Sequence, residues 1–293
     1  MVNDSVPPFG LLLDVDGPIA SPVTRTVAIS SIVTDLTALA NAGIPIAFNT
    51  GRSDAFLRDV VVAPLASAGL GQDVTLYGIC EKGGVWFRIT AAGGSEPEIF
   101  VDEELALPAE YSADIERLVA ERFDEIMFFD HTKRSMVSAE QHIGTDDEAY
   151  RTAQYDFDMI AMEKLVKLGF GVSREDDVRP AADGSVRYRV DPTIISTDIE
   201  SSAVGKDTGA DRFLQLLAED GRPMPSRWYT VGDSRTDYAM AQWLHERGEE
   251  VSHVDVRPAD GVPKTAYPVL TYGDSIHDDA GAQFLRERAS ELS

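Results

Sequence analysis

The chain has 293 residues, 43% of them apolar, enough to fill two compact cores or one large one and to exclude global disorder. Its 50 acidic and 26 basic residues leave a net charge of −24, which disfavours nucleic acid and anionic membrane as partners but leaves room for a small anion held by a few local cations. Cys80 is the single cysteine, so no intramolecular disulfide can form; with no basic-then-apolar leader at the start and no apolar run of the roughly 18 residues that span a bilayer, the chain reads as soluble and cytoplasmic.

Residues 10–15, GLLLDV, are a short apolar run ending in acid, the pattern of a buried parallel strand with Asp14 at its C-terminal end. A helix is expected over 24–42, where Val27, Ile32, Leu36 and Leu39 share a face and Asn41-Ala42-Gly43 supplies the stop. A strand over 44–49 ends at Asn49-Thr50-Gly51-Arg52, and a helix over 53–62 follows. This strand–helix–strand–helix order predicts a parallel sheet with right-handed crossovers, whose site lies beyond the C-terminal strand ends.

After about residue 75 the pattern changes. A strand at 74–77 and a hairpin around Glu81-Lys82-Gly83-Gly84 lead into helices at 111–123 and 147–168, the second with a break inside. Strands are expected at 125–129, 134–139, 186–190 and 193–199. The parallel pattern then returns: helix 207–219, strand 228–231, helix 236–247, strand 251–254 and a closing helix 279–291. The fold class expected is α/β, a Rossmann-like doubly wound parallel core over 1–85 and 201–293, with an α+β cap inserted over 86–200.

Four polar clusters fall where such a core collects its active site: Asp14-Val15-Asp16-Gly17, Asn49-Thr50-Gly51-Arg52, Lys206 at a helix start, and Gly232-Asp233-Ser234-Arg235-Thr236-Asp237. Singly, each also reads as an ordinary turn, a helix cap or a solvated lysine. Together they hold what phosphate-ester cleavage needs. A carboxylate can attack phosphorus, and a second carboxyl can protonate the leaving oxygen and later activate water. Mg²⁺ takes oxygen ligands of the kind Asp14 and Asp233 supply, and the Thr50 hydroxyl, neighbouring backbone N–H groups and Lys206 can hold phosphoryl oxygens. No GxxxxGK[ST] phosphate loop is present, which argues against a nucleotide-driven motor or switch.

In order, LLLDVDG, FNTGR, GKDTGADRFL and VGDSRTD resemble motifs I to IV of the haloacid dehalogenase superfamily, and the insertion resembles the α/β cap of its subclass IIB, which includes Cof-type, sucrose-phosphate and trehalose-phosphate phosphatases. The resemblance implies Asp14 as nucleophile, Asp16 as general acid/base, and Thr50, the backbone at Gly51 and Lys206 as holders of the transferring phosphoryl group. It implies Mg²⁺ on Asp14, the Asp16 carbonyl and Asp233, with Asp237 supporting directly or through water. Pro18 stands where motif I usually has Thr, and Thr236 where motif IV often has Asn. Lys133, Arg134, Ser135, Arg187 and Arg189 are candidate cap residues for the substrate, with Lys133, Arg134 and Arg189 foremost. The expected activity is Mg²⁺-dependent hydrolysis of a small phosphate ester, a sugar phosphate first, with a phosphomutase or an inactive binding protein on the same scaffold as the alternatives.

Overall fold

The computed structural model describes residues 6–91 and 97–292. It divides into two compact units, Met1–Phe100 with Gly205–Ser293, and Val101–Val204. In chain order the first unit begins with β1 (Gly10–Leu13), α1 (Ser30–Asn41) and β2 (Ile46–Asn49). One helical run follows, made of α2 (Asp54–Leu57), a π segment (Arg58–Val62) and α3 (Ala63–Ser67), and then β3 (Thr75–Cys80), β4 (Val85–Thr90) and β5 (Phe100–Val101). The second unit holds α4 (Ala109–Arg122), β6 (Met127–Phe129), β7 (Val137–Gln141) and α5 (Asp147–Lys167), then β8 (Val172–Arg174), β9 (Asp177–Arg179), β10 (Tyr188–Pro192) and β11 (Ser196–Ser201). The chain returns with α6 (Lys206–Glu219), β12 (Trp228–Gly232), α7 (Tyr238–Glu246), β13 (Val251–Asp255), β14 (Val269–Leu270) and α8 (His277–Ser290).

The first unit is built on one sheet in the order β14-β13-β12-β1-β2-β3-β4-β5. From β14 to β3 every pairing is parallel, and β4 pairs antiparallel with β3. All four residues of β1 are buried, as a strand covered on both faces requires. α1 packs on α8, and α6 packs on α7. β1 lies between β2, the next strand in sequence, and β12, which arrives much later. That is the switch point of a doubly wound sheet, where a crevice opens at the C-terminal strand ends. The second unit has a separate six-stranded sheet, β6-β7-β11-β10-β8-β9, and its own core of α4 and α5 residues such as Ile115, Phe157 and Leu165 against Val137, Val172 and Ile199.

Three details differ from the sequence expectations. α1 starts at Ser30, because the Pro22-Val23-Thr24 stretch closes a turn instead: Arg25 donates its amide to the Ser21 carbonyl with φ at 56°. β4 hydrogen-bonds to β3 from Thr75↔Thr90 to Cys80↔Val85, so 85–90 belongs to the first unit and the insertion begins later than residue 86. The helix expected at 147–168 has no break; α5 runs unbroken for 21 residues. No helix among the described residues is long and apolar enough to cross a membrane.

Candidate active site

Asp14 leaves β1 at its C-terminal end, its amide donating to the Val231 carbonyl of β12 at 2.9 Å. Its Oδ1 lies 2.7 Å from the Lys206 ammonium, which is also 2.7 Å from Asp237 Oδ1 and donates to the Asn49 carbonyl at 2.8 Å. In return the Asn49 amide donates to the Lys206 carbonyl at 2.8 Å, tying the start of α6 to the end of β2. A Cβ on Gly209 would sit 2.1 Å from the Asn49 amide oxygen, so glycine is needed where α6 crosses that contact. Asp14, Lys206 and Asp237 are all buried.

Burial and the nearby Asp237 charge push the Asp14 carboxyl up to about 8, against the pull of Lys206. Burial also works against the Asp237 charge, but Lys206 and the Ser234 donors outweigh it and hold that carboxyl below its usual value. Burial opposes the Lys206 charge too, yet its two carboxylate partners raise its pKa. Of the two acids, Asp237 therefore carries the settled charge, and Asp14 is the one under electrostatic pressure.

The turn after Asp14 is tight. Gly17 has φ at +97°, its amide donates to the Ala20 carbonyl at 2.9 Å, and a Cβ there would lie 2.8 Å from Asp233 Cβ. Pro18 fits because this turn asks nothing of its missing N–H: Gly17, Ile19 and Ala20 make the local amide bonds.

Thr50 is buried beyond β2, held through its amide to the Ile79 carbonyl at 2.9 Å, and its Oγ1 accepts the Arg52 amide at 3.0 Å. Gly51 follows, with the Lys82 side chain across its α-carbon, Cε 3.6 Å from where a Cβ would be. Glu81, Lys82 and Gly83 all have positive φ, 50°, 56° and 103°. Two non-glycine residues in a row in this region are costly, and the surrounding bonds hold them there. The Glu81 amide donates to the Arg52 carbonyl, the Lys82 amide to the Thr50 carbonyl, and the Gly205 amide to the Lys82 carbonyl.

Asp16 points into a guanidinium. Arg52 Nε donates to one of its carboxylate oxygens at 2.9 Å and Nη2 to the other at 3.1 Å. The residue types did not single out Arg52; its place directly after Thr50-Gly51 was the available signal. Asn49 was likewise legible only as a member of its cluster.

Asp14, Asp233 and Asp237 each offer a carboxylate oxygen within 4.8 Å of the others, so the structure brings three of the expected metal residues together. Their availability differs. One oxygen of Asp237 faces Lys206, and the other accepts from Asp233 N, Ser234 N and Ser234 Oγ at 3.2, 2.9 and 2.7 Å. Asp237 thus shapes the turn and fixes the lysine, leaving Asp14 and Asp233 as the accessible carboxylates. Burial, then the Asp237 charge, raises the Asp233 pKa, while Arg257 and His277 pull it back. Arg257 Nη1 lies 3.7 Å and His277 Nδ1 3.8 Å from Asp233 Oδ2, two neighbours that sequence reasoning missed because they come from distant segments. A buried Asp14 and a half-buried Asp233 crowded together in an all-oxygen donor set fit a hard divalent cation.

Lys133, Arg134 and Arg189 belong to the second unit. Lys133 is half-buried and Arg134 exposed, on the loop between β6 and β7, and Ser135 beside them is buried. Arg189 is engaged within its own unit: Nε and Nη2 donate to Glu200 Oε1 at 2.8 and 2.5 Å, and Nη2 also donates to the Val204 carbonyl at 2.9 Å. The Arg187 guanidinium donates to the Glu104 carbonyl at 3.0 Å.

No family model and no curated protein matches the sequence. Solved structures do share the fold. The C-terminal domain of trehalose-6-phosphate phosphatase from C. albicans aligns with a TM-score of 0.63 at 15% identity, over 97% of this chain and 93% of that one. A haloacid dehalogenase-like hydrolase from Bacteroides thetaiotaomicron aligns at 0.59 and 12% identity, over 96% and 99%. Trehalose-6-phosphate phosphatase from Aspergillus fumigatus aligns at 0.53 and 15% identity, over 97% and 93%. The chain therefore has the fold of these haloacid dehalogenase-like proteins.

Proposed function

We propose that this chain is a Mg²⁺-dependent phosphohydrolase of small phosphate esters, with sugar phosphates as the favoured class and a reducing cytoplasm as its compartment. The observation that carries this reading is the Lys206 ammonium, set 2.7 Å from both Asp14 and Asp237 at the switch point of the sheet. A buried lysine held between two carboxylates stays charged and fixed in place, and it meets phosphoryl oxygens by exchanging one of these partners. The trehalose-6-phosphate phosphatases that share the fold support a sugar phosphate as the first class to test.

In this mechanism Asp14 attacks phosphorus, the P–O bond to the alcohol breaks, and Asp16 gives a proton to the leaving oxygen. Water then attacks the phosphorus of the aspartyl-phosphate as Asp16 takes its proton, and inorganic phosphate leaves. Thr50, the Gly51 backbone and Lys206 hold the phosphoryl oxygens through both steps. Asp14, Asp233 and the Asp16 carbonyl would hold Mg²⁺, which supplies charge neutralisation between carboxylate and phosphate. Lys133 and Arg134 are the proposed selectors of substrate in the second unit. The test is hydrolysis of p-nitrophenyl phosphate with and without Mg²⁺, followed by a panel of phosphorylated metabolites read by phosphate release. No turnover of any ester in Mg²⁺ would remove the proposal.

A further inference from the structure

We infer that Arg52 is a positioning residue shared between Asp16 and the substrate: it parks the Asp16 carboxylate while the site is empty and releases it when a phosphate dianion takes over the guanidinium. The inference rests on the proposed phosphohydrolase reading and extends it to a residue and a sequence of events.

The geometry of the pair is the starting point. Arg52 donates one nitrogen to each Asp16 oxygen, at 2.9 and 3.1 Å. In that fork each oxygen already accepts a charged donor, which fixes the carboxylate's direction and uses its ionised form rather than the protonated one that a leaving group needs, so the arrangement is a resting one. The two side chains are 26% and 35% exposed, so an incoming anion can reach the guanidinium. Half-exposed ion pairs of this kind hold their partners by less than about tenfold in equilibrium. A phosphate dianion offers the same planar fork a stronger charge-assisted partner.

Arg52 is also held at its backbone and against one aromatic ring. Its amide donates to Thr50 Oγ1 at 3.0 Å, and its carbonyl accepts the Glu81 amide at 3.1 Å. Its guanidinium carbon lies 4.9 Å from the centre of the Phe56 ring. The left-handed turn at Glu81 and Lys82 is one of the clamps on this backbone. A residue whose only purpose was a surface ion pair needs no such support, whereas a fork that must pass between two acceptors does. Thr50, the proposed phosphoryl-binding hydroxyl, is two residues away in the same loop. An anion seated on Thr50 and Lys206 is thus delivered beside the fork.

The test is a double-mutant cycle read as binding of inorganic phosphate, by calorimetry in Mg²⁺ buffer. It uses wild type, Asp16→Asn, Arg52→Ala and the double variant. If Arg52 is shared, Asp16→Asn frees the guanidinium and tightens phosphate strongly in the wild-type background. In the Arg52→Ala background only the loss of a negative charge remains, so the gain is smaller by about tenfold. Arg52→Lys, which keeps the charge but cannot fork, guards against misfolding of the alanine variant and should give an intermediate coupling. Equal gains in both backgrounds would overturn the sharing, even in a protein that hydrolyses phosphate esters normally. Absence of phosphate binding in every variant would overturn it together with the proposed function.

Discussion

Gly281, in the last helix, faces the carbonyl of Pro18 so closely that a Cβ on it would lie 1.9 Å from the oxygen. Residues at opposite ends of the chain thus meet in the turn that follows Asp14. Gly281→Ala should push that turn away. The expected cost is about 1–3 kcal/mol of stability, as for other overpacked sites, and turnover should fall further than the stability loss accounts for. Thermal unfolding and p-nitrophenyl phosphate hydrolysis on the same preparation check this; unchanged turnover would mean that the turn does not depend on α8.

Lys206 has a different dependence. Removing it leaves Asp14 and Asp237 buried against each other without their cation. Breaking a buried pair from one side costs about 3–5 kcal/mol. Lys206→Met should therefore lower the denaturation midpoint markedly and abolish turnover. A second substitution, Asp237→Asn, should restore part of the stability by removing one unpaired charge, but no activity.

The core was legible because its signals are local and redundant: GLLL is apolar throughout, and the acidic and polar clusters stand directly after strands. The placement of Asp14, Thr50 and Asp233 just past strand ends, and of Lys206 at a helix start, could be read for the same reason. What was missed depends on tertiary approach. The β3–β4 pairing drew residues 85–90 into the first unit, a choice that register makes and composition does not announce. Arg257 and His277 reach Asp233 from β13's far end and from the start of α8, and no spacing rule links them. Arg52 shows the opposite case: it was within a noted cluster, but its bidentate contact with Asp16 is visible only in the structure.

Arg189 and the Lys133–Arg134 pair should behave differently. Arg189 holds Glu200 and the Val204 carbonyl at the end of its unit, so Arg189→Ala should reduce turnover of all phosphate esters by a similar factor and lower stability. Lys133→Ala and Arg134→Ala should instead change the ranking among phosphorylated metabolites and spare p-nitrophenyl phosphate. Rates on a common panel decide it; an altered ranking in Arg189→Ala would show that its guanidinium meets substrate.

Cation binding should release a proton. Asp14 is pushed from 3.8 to about 8 by burial and Asp237, against the pull of Lys206, so without a cation beside it the carboxyl resists ionising. The raised pKa means that the protonated form stabilises the fold fully below the unfolded value of 3.8, and that this stability is lost as pH rises toward about 8. Apparent Mg²⁺ affinity should accordingly climb by about tenfold per pH unit and level off above about 8. Without metal, Asp14→Asn should gain in stability relative to wild type as pH rises from about 4 toward 8, with no further gain above that. Calorimetry in buffers of different ionisation enthalpy counts the proton; an affinity independent of pH would contradict the pressure on Asp14.

The two aspartates of the first motif should separate in a trapping experiment. On the proposed mechanism, Asp14→Asn removes the attacking carboxylate, so no phosphoryl-enzyme should form, while the proposed binding groups at Thr50, Gly51 and Lys206 remain. Asp16→Asn keeps the proposed nucleophile and removes the group assigned to protonate the leaving oxygen and later activate water. With an aryl phosphate, whose leaving group needs little protonation, its first step should survive in part and the second should stall. Rapid acid quench and intact mass should then show a phosphorylated species in Asp16→Asn and none in Asp14→Asn. On alkyl phosphates, whose leaving groups need the proton, Asp16→Asn should lose about 10²–10⁴-fold in turnover. A phosphorylated Asp14→Asn would remove the nucleophile assignment, and wild-type turnover of alkyl phosphates by Asp16→Asn would remove the acid/base assignment.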